Sequence, residues 1–244
     1  MAITFEKLAS TSLRGRIAEQ IREAILDGTL TEGERLVERK LAAQFGASLT
    51  AVREALVELE TDGFIEKVSN ASTHVIRLSL EDAEKIVSVR SVLEGFAVAE
   101  AASQLSTGSL DTGHSTNSNG FSEDHGDEGP SADKAALMAL ADEVMQAAEN
   151  GDVKRLLQKD RALHEVIWEC TGNETMIPSL RRLVYPFYAF FAIRLRSCSR
   201  QDLIECAESN LPMLNAILSG DANGARDGLK YSLDRWLSKA RTTA

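Results

Sequence analysis

Asp160 and His164 are the residues whose types and spacing first suggest chemistry in this 244-residue chain. They lie in "KDRALHEV", and a separation of four puts both side chains on one face of a helix. The same face carries Leu156, Leu163 and Ile167, so burial is expected. A buried carboxylate and imidazole can hold a divalent metal, line an effector pocket or serve as polar wiring in a core. One Asp and one His are too few strong ligands for a transition metal unless other groups complete the shell.

Other polar residues interrupt apolar stripes in the same way. Arg90 follows Ile86 and Val89 and precedes Leu93. Asn210 shares a face with Leu203, Ala207, Leu214 and Ile217. Ser232 shares one with Ala225, Leu229, Leu233 and Trp236. Each such group, buried without a partner, costs about 1–3 kcal/mol, so convergence on one satisfied site is the economical arrangement. In such a site Arg90 is the leading counter-charge for an anionic effector, because a guanidinium binds a carboxylate bidentately. Its alternative is an internal pair with Glu94 or Asp160. His164, Asn210, Ser232 and Tyr188 would supply hydrogen bonds. Pro212 removes a helix donor just beyond Asn210 and is expected to kink that wall. The aromatic run "VYPFYAFF" (184–191) reads as core and dimer packing, as do Trp168 and Trp236.

The elements that must position these residues are mainly helical. "SLRGRIAEQIREAILDG" reads as a first helix, with Ser12 as cap, Ile17, Ile21, Ala24 and Ile25 inside and Gly28 as stop. "TLTEGERL" reads as a turn. "VERKLAAQFG" is a short second helix. "SLTAVREALVELETDG" is a third, capped by Ser48, with Val52, Leu56 and Leu59 inward. "FIEKV" and "THVIRL" read as two strands around "SNAS". This order is a winged helix-turn-helix. From residue 81 helices are expected near 81–104, 132–149, 152–171, 175–197, 201–218 and 222–240, an all-α bundle. The expected division is 1–78 for the winged helix-turn-helix and 79–244 for the bundle. Segment 105–133, rich in glycine, serine and acids, is expected to be a mobile loop, with His114 and His125 as part of a solvated tether.

On the third helix Thr50, Arg53 and Val57 face outward. Ser48 and Thr50 carry hydroxyls for phosphates or base edges, and a helix N-terminus favours phosphate. Arg53 can reach a guanine edge or a phosphate, and Arg35 is a further candidate. The net charge of −10 argues against nucleic acid on its face. Its distribution weakens that argument. Residues 1–80 hold 10 bases and 12 acids, whereas 105–133 alone hold six acids and no base. Three cysteines without C-x-x-C spacing, no signal-peptide pattern and no apolar run of membrane-spanning length fit a reduced, cytoplasmic protein with no membrane partner.

"ILDGTLTEGERLVERKLAAQFGASLTAVREALVELETDGFIEKV" resembles the DNA-binding domain of the GntR family of bacterial transcriptional regulators. The carrying elements are G-x-L, G-E-R-L, L-A, S-x-T-x-V-R-E-A-L and L-x-x-x-G. "DAEKIVSVRSVLEGFAVAEAA", with Arg90 and Glu94, and "ILSGDANGARDGL" resemble the FCD effector-binding domain of the FadR-like subgroup. The resemblance implies a ligand-responsive regulator, not an enzyme, that binds a double-stranded operator as a homodimer. It implies DNA contacts at Arg35, Ser48, Leu49, Thr50, Arg53 and the wing residues Ser69 and Asn70. Leu49 and Ala51 depart from the family's usual Arg and Pro, and the wing "SNAS" from its usual glycine and base. Many members of the domain hold a divalent metal with an Asp, a His four residues on and two further His on the last two helices. Asp160 and His164 match the first pair, and Asn210 and Ser232 stand at the other two positions. Without metal, a small organic acid would rely on Arg90. A helical interaction protein with weakened DNA binding and a metal-dependent enzyme are the alternatives.

Overall fold

The computed structural model describes residues 13–26, 28–68, 72–107 and 134–242. The expected cap Ser12, the wing residues Ser69 and Asn70, and His114 and His125 lie outside them. The chain divides into two compact units, Met1–Arg77 and Leu78–Ala244. Its architecture is mainly α, with a small three-stranded sheet in the first unit.

In the first unit α1 (Leu13–Leu26) buries Ile17, Ala18, Ile21, Ile25 and Leu26. Helix α2 (Glu38–Phe45) ends at Gly46, whose φ of 59° is the left-handed stop that lacks a Cβ penalty. Helix α3 (Leu49–Thr61) buries Val52, Ala55, Leu56 and Leu59. Strands β2 (Ile65–Val68) and β3 (Ser72–Val75) form the expected hairpin. The segment read as a turn holds one more strand, β1 (Arg35–Leu36), which pairs antiparallel with β3 and gives the order β1-β3-β2. Two residues are too few for a period-2 pattern to show in the sequence.

The second unit is helical throughout its described residues: α4 (Leu80–Thr107), α5 (Lys134–Glu149), α6 (Val153–Glu169), α7 (Met176–Arg194), α8 (Arg200–Glu208), α9 (Leu211–Ser219) and α10 (Ala222–Thr242). The expected loop therefore yields residues 105–107 to α4, and 108–133 lie outside the described residues. The expected single helix 201–218 is two. Its first half ends at Ser209, and Asn210 and Pro212 open the second. Proline lacks the N–H that a continuous helix needs and is tolerated in a first turn, so the expected kink is a full break.

Helices α9 and α10 approach closely at Gly228. A Cβ there would lie 2.3 Å from the backbone nitrogen of Met213 and 2.8 Å from the carbonyl carbon of Pro212. Only a glycine lets the first turn of α9 rest directly on α10. Ser232 is one helical turn further along the same face of α10. Among the described residues no helix is long and apolar enough to cross a membrane.

Candidate functional site

In the first unit the outward face of α3 is as the sequence places it. Ser48, Leu49, Thr50, Arg53 and Val57 are exposed, and so is Arg35 on β1. Ser48 Oγ accepts from the Ala51 N–H at 3.2 Å and caps α3. The hydroxyl proton is not used by that cap and can be donated to a phosphate oxygen. Arg53 Nε donates to Glu38 Oε2 at 2.7 Å, across from α3 to α2. Both partners are solvent-exposed, so the pair is weak and can exchange for a nucleic-acid acceptor. Exposed Arg39 and Lys40 on α2 add two bases that sequence reasoning passed over.

In the second unit the polar residues on apolar stripes converge. Arg90, Asp160, His164, Asn210 and Ser232 are each at most 3% exposed, and Tyr188 is 2% exposed. Asp160 is the acceptor at one end of the cluster. Its Oδ1 takes the Asn210 Nδ2–H at 2.5 Å and its Oδ2 takes the Tyr188 hydroxyl at 2.8 Å. Asn210 Oδ1 accepts from Ser232 Oγ at 2.7 Å, and Ser232 meets Ser209 Oγ at 3.1 Å. Ser209 in turn donates to the Cys206 carbonyl at 2.6 Å. The break between α8 and α9 is thus wired to α6, α7 and α10.

Glu94, which the sequence offered only as a partner for Arg90, is the acceptor at the other end. It is fully buried. Its Oε1 lies 2.5 Å from His164 Nδ1 and accepts the Trp168 indole N–H at 2.8 Å. Its Oε2 accepts from Arg90 Nε, and Oε1 is 3.5 Å from the second guanidinium nitrogen. Burial works against the Glu94 charge, but Arg90 and His164 outweigh it and hold the carboxyl well below the usual carboxylate range. Burial likewise opposes the charge of Arg90. Glu94, Tyr188 and Asp160 more than compensate and raise its pKa above the ordinary arginine value. The Tyr188 phenol is pushed well up, first by burial and then by Asp160, so it is a donor.

Of the two roles that the sequence left open for Arg90, the internal pair with Glu94 is present, and the guanidinium stacks over Phe187 at 5.2 Å. Two sequence-based expectations change here. Trp168 is a hydrogen-bond donor as well as a packing residue. Val89, read as inward, is 49% exposed, because the buried positions of α4 run through Ala83, Val87, Arg90, Glu94 and Ala97. The spacing of Arg90 and Glu94 against those small residues was the signal that could have shown it.

Arg90, Asp160, His164, Tyr188, Ser232 and Trp236 line a cavity of about 10 Å³, room for one water-sized occupant. Beyond Asn210 lies a larger cavity of about 220 Å³, walled by Val144, Met145, Leu163 and Leu214. His164 Nε2 is 3.9 Å from Asp160 Oδ2, outside hydrogen-bond reach. Among the described residues no three His, Cys, Asp or Glu side chains are grouped to hold a metal ion.

Comparison with known proteins agrees with this geometry. Residues 13–75 match the gntR family of bacterial regulatory proteins, and residues 126–235 match the FCD domain. A probable D-xylose utilization operon transcriptional repressor of Paenarthrobacter nicotinovorans is 28% identical over 97% of this chain and 92% of its own. The HTH-type transcriptional regulator McbR of Escherichia coli (strain K12) is 23% identical over 90% of this chain and 89% of its own. The solved structure of E. coli McbR/YncC is similar in fold, with a TM-score of 0.76 at 22% identity over 96% of this chain and 99% of that one. A putative GntR transcriptional regulator from Rhodococcus sp. RHA1 gives 0.68 at 21% identity, over 95% and 98%. The chain belongs to the GntR family of bacterial transcriptional regulators, and joins that family's N-terminal helix-turn-helix DNA-binding domain to a C-terminal FCD effector-binding domain.

Proposed function

We propose that this regulator binds a near-palindromic operator as a homodimer, and that a small polar metabolite at the Asp160–Asn210–Ser232 cluster shifts its operator affinity. One observation carries the reading: two buried hydrogen-bond clusters meet on adjacent turns of α6 and line one small cavity, the first joining α4 to α6 and the second joining α6 to α7, α10 and the α8–α9 break. A ligand that exchanges for a member of the second cluster acts on α6, α7, α10 and the α8–α9 break at once. To be regulatory it must bind the DNA-competent and DNA-incompetent states unequally. The inner cavity is too small for a metabolite, so binding requires Asn210 to yield toward the larger cavity beside it.

The exposed stripe Val89, Val92 and Phe96 on α4 supports a second copy as the partner of that face. Its spacing of three and four is that of a helix seam. Arg35, Ser48, Leu49, Thr50, Arg53, Arg39 and Lys40 are the proposed operator-facing residues, with Ser69 and Asn70 added from the sequence. The cytoplasm, where the operator is, is the proposed location.

The ligand class divides by route. An organic acid would exchange for Glu94 on the Arg90 guanidinium. An uncharged hydroxylated molecule would exchange for Asn210 or Tyr188 on Asp160, and the D-xylose operon relative favours including sugars. Operator selection at low salt followed by a melting-temperature screen of both classes tests this, since a ligand of the folded state raises apparent stability. A hit whose shift is lost in Arg90→Met identifies the first route, and one lost in Asp160→Asn the second. His164→Ala is expected to weaken ligand response more than operator binding by the ligand-free protein. Equal loss of both would reduce His164 to structural wiring, and recovery of no palindrome would count against the homodimeric reading.

A further inference from the structure

We infer that this FCD domain works without the divalent metal that its family resemblance implies, and that the Asn210 side-chain amide stands in the cation's place. A cation bound at Asp160 needs a free carboxylate lone pair and further lone pairs brought in from the positions of Asn210 and Ser232. The chain brings donors instead. Asn210 turns an N–H toward Asp160 Oδ1 at 2.5 Å. That orientation gives the carboxylate an N–H and lets the amide's other end accept from Ser232 at 2.7 Å, so both ends are satisfied. Tyr188 donates to Oδ2 at 2.8 Å, so each oxygen of the carboxylate already accepts an internal hydrogen bond. The Ser232 hydroxyl is engaged with both Asn210 and Ser209. Three of the four ligand positions, Asp160, Asn210 and Ser232, form a donor–acceptor chain in which the partial positive charge of an N–H serves the carboxylate.

The charges agree. Arg90 is matched by Glu94, and the hydrogen bonds of Asn210 and Tyr188 serve the Asp160 carboxylate in place of a metal. The internal occupant belongs to the α8–α9 junction, so the helices are tied by the chain's own atoms. The inference concerns the same cluster as the proposed ligand site. It is read by metal content instead of operator binding, so either can fail alone.

The test is metal titration of the full chain after chelator treatment. Calorimetry with zinc and nickel chloride, with metal content by emission spectrometry, is expected to find no stoichiometric metal. The melting temperature should be the same with and without chelator. One equivalent of metal held by the wild type and lost in Asp160→Asn would overturn the inference. Asn210→Asp sets two carboxylates face to face and is expected to melt lower without metal and to be rescued by zinc. Asn210→His gives three strong ligands with Asp160 and His164, and its zinc affinity is expected to exceed the wild type's by at least about tenfold. Two folded variants with no gain of metal would show that Asn210 does not occupy the cation's place. Should either variant fail to fold, the wild-type titration and the Asp160→Asn control still decide.

Discussion

Asn210 and Asp160, 50 residues apart in the chain, meet through one amide N–H at 2.5 Å. The contact ties the middle of α6 to the point where α8 ends and α9 begins. It leaves Asn210 no side-chain role as a helix cap, and none is seen. A residue type that usually closes a helix end is spent on the interior.

Asn210→Ala is therefore expected to strand one Asp160 oxygen and the Ser232 hydroxyl together. Unsatisfied buried polar groups cost about 1–3 kcal/mol each. Urea unfolding should show a loss of about 2–6 kcal/mol for the two groups together, with the denaturant slope unchanged.

Glu94→Gln removes the negative charge shared by Arg90, His164 and Trp168 and sets an amide N–H against one of its former donors. Breaking a buried pair from one side costs about 3–5 kcal/mol, since a charge is left uncompensated. The pH sign follows from the depressed Glu94 pKa. Its contribution is fully present above the ordinary carboxylate range and is lost as pH falls toward the lower folded value. Chemical denaturation across pH should show the wild-type advantage over the variant narrowing on the acid side.

Arg53→Ala should weaken operator binding by about 1–3 kcal/mol and lower the salt slope by about one unit. Its effect on folding should stay under about 1 kcal/mol, because the Glu38 pair is exposed. Glu38→Gln releases the guanidinium and should strengthen binding. Fluorescence anisotropy over a salt series measures both.

Gly228→Ala places a methyl group 2.3 Å from the Met213 nitrogen, so α9 and α10 must move apart. Overpacking of this kind costs about 1–3 kcal/mol. The displacement should also lengthen the Asn210–Ser232 contact, so ligand response should fall further than stability alone explains.

At the start of α8, Ser199 and Asp202 form a reciprocal cap, and Lys239 pairs with Asp202. Lys239 and Ser199 hold the Asp202 carboxyl down at about 2. Its stabilisation is complete above the usual aspartate range and lost as pH falls toward that value. Ser199→Ala should cost about 1 kcal/mol at neutral pH, less in acid, by thermal melting.

Periodicity made much of this legible. The stripes of α6, the broken 201–218 segment and α10 placed Asp160, His164, Asn210 and Ser232 on inward faces, and all four are buried. Glycine stops were equally plain, as at Gly46. Helix α4 was harder, since apolar residues run around much of it and the inner face is set by Ala83 and Ala97 instead of its largest side chains. Glu94 was missed as the shared acceptor because its partners Trp168 and His164 are more than 69 residues away. The α8–α9 break and strand β1 turn on one proline and two residues, below the length at which a repeat declares itself.

The buried polar cluster also bears on how the protein can evolve. Packed apolar side chains in place of a buried ion pair are often neutral or stabilising by about 1–4 kcal/mol. Folding alone therefore exerts no pull to retain Arg90 and Glu94. A library varied at 90, 94, 160 and 210 and sorted only for folded protein should drift toward leucine, methionine and phenylalanine. The same library sorted for a regulated promoter should keep its polar residues, so the two sorted pools would separate what the fold requires from what signalling requires.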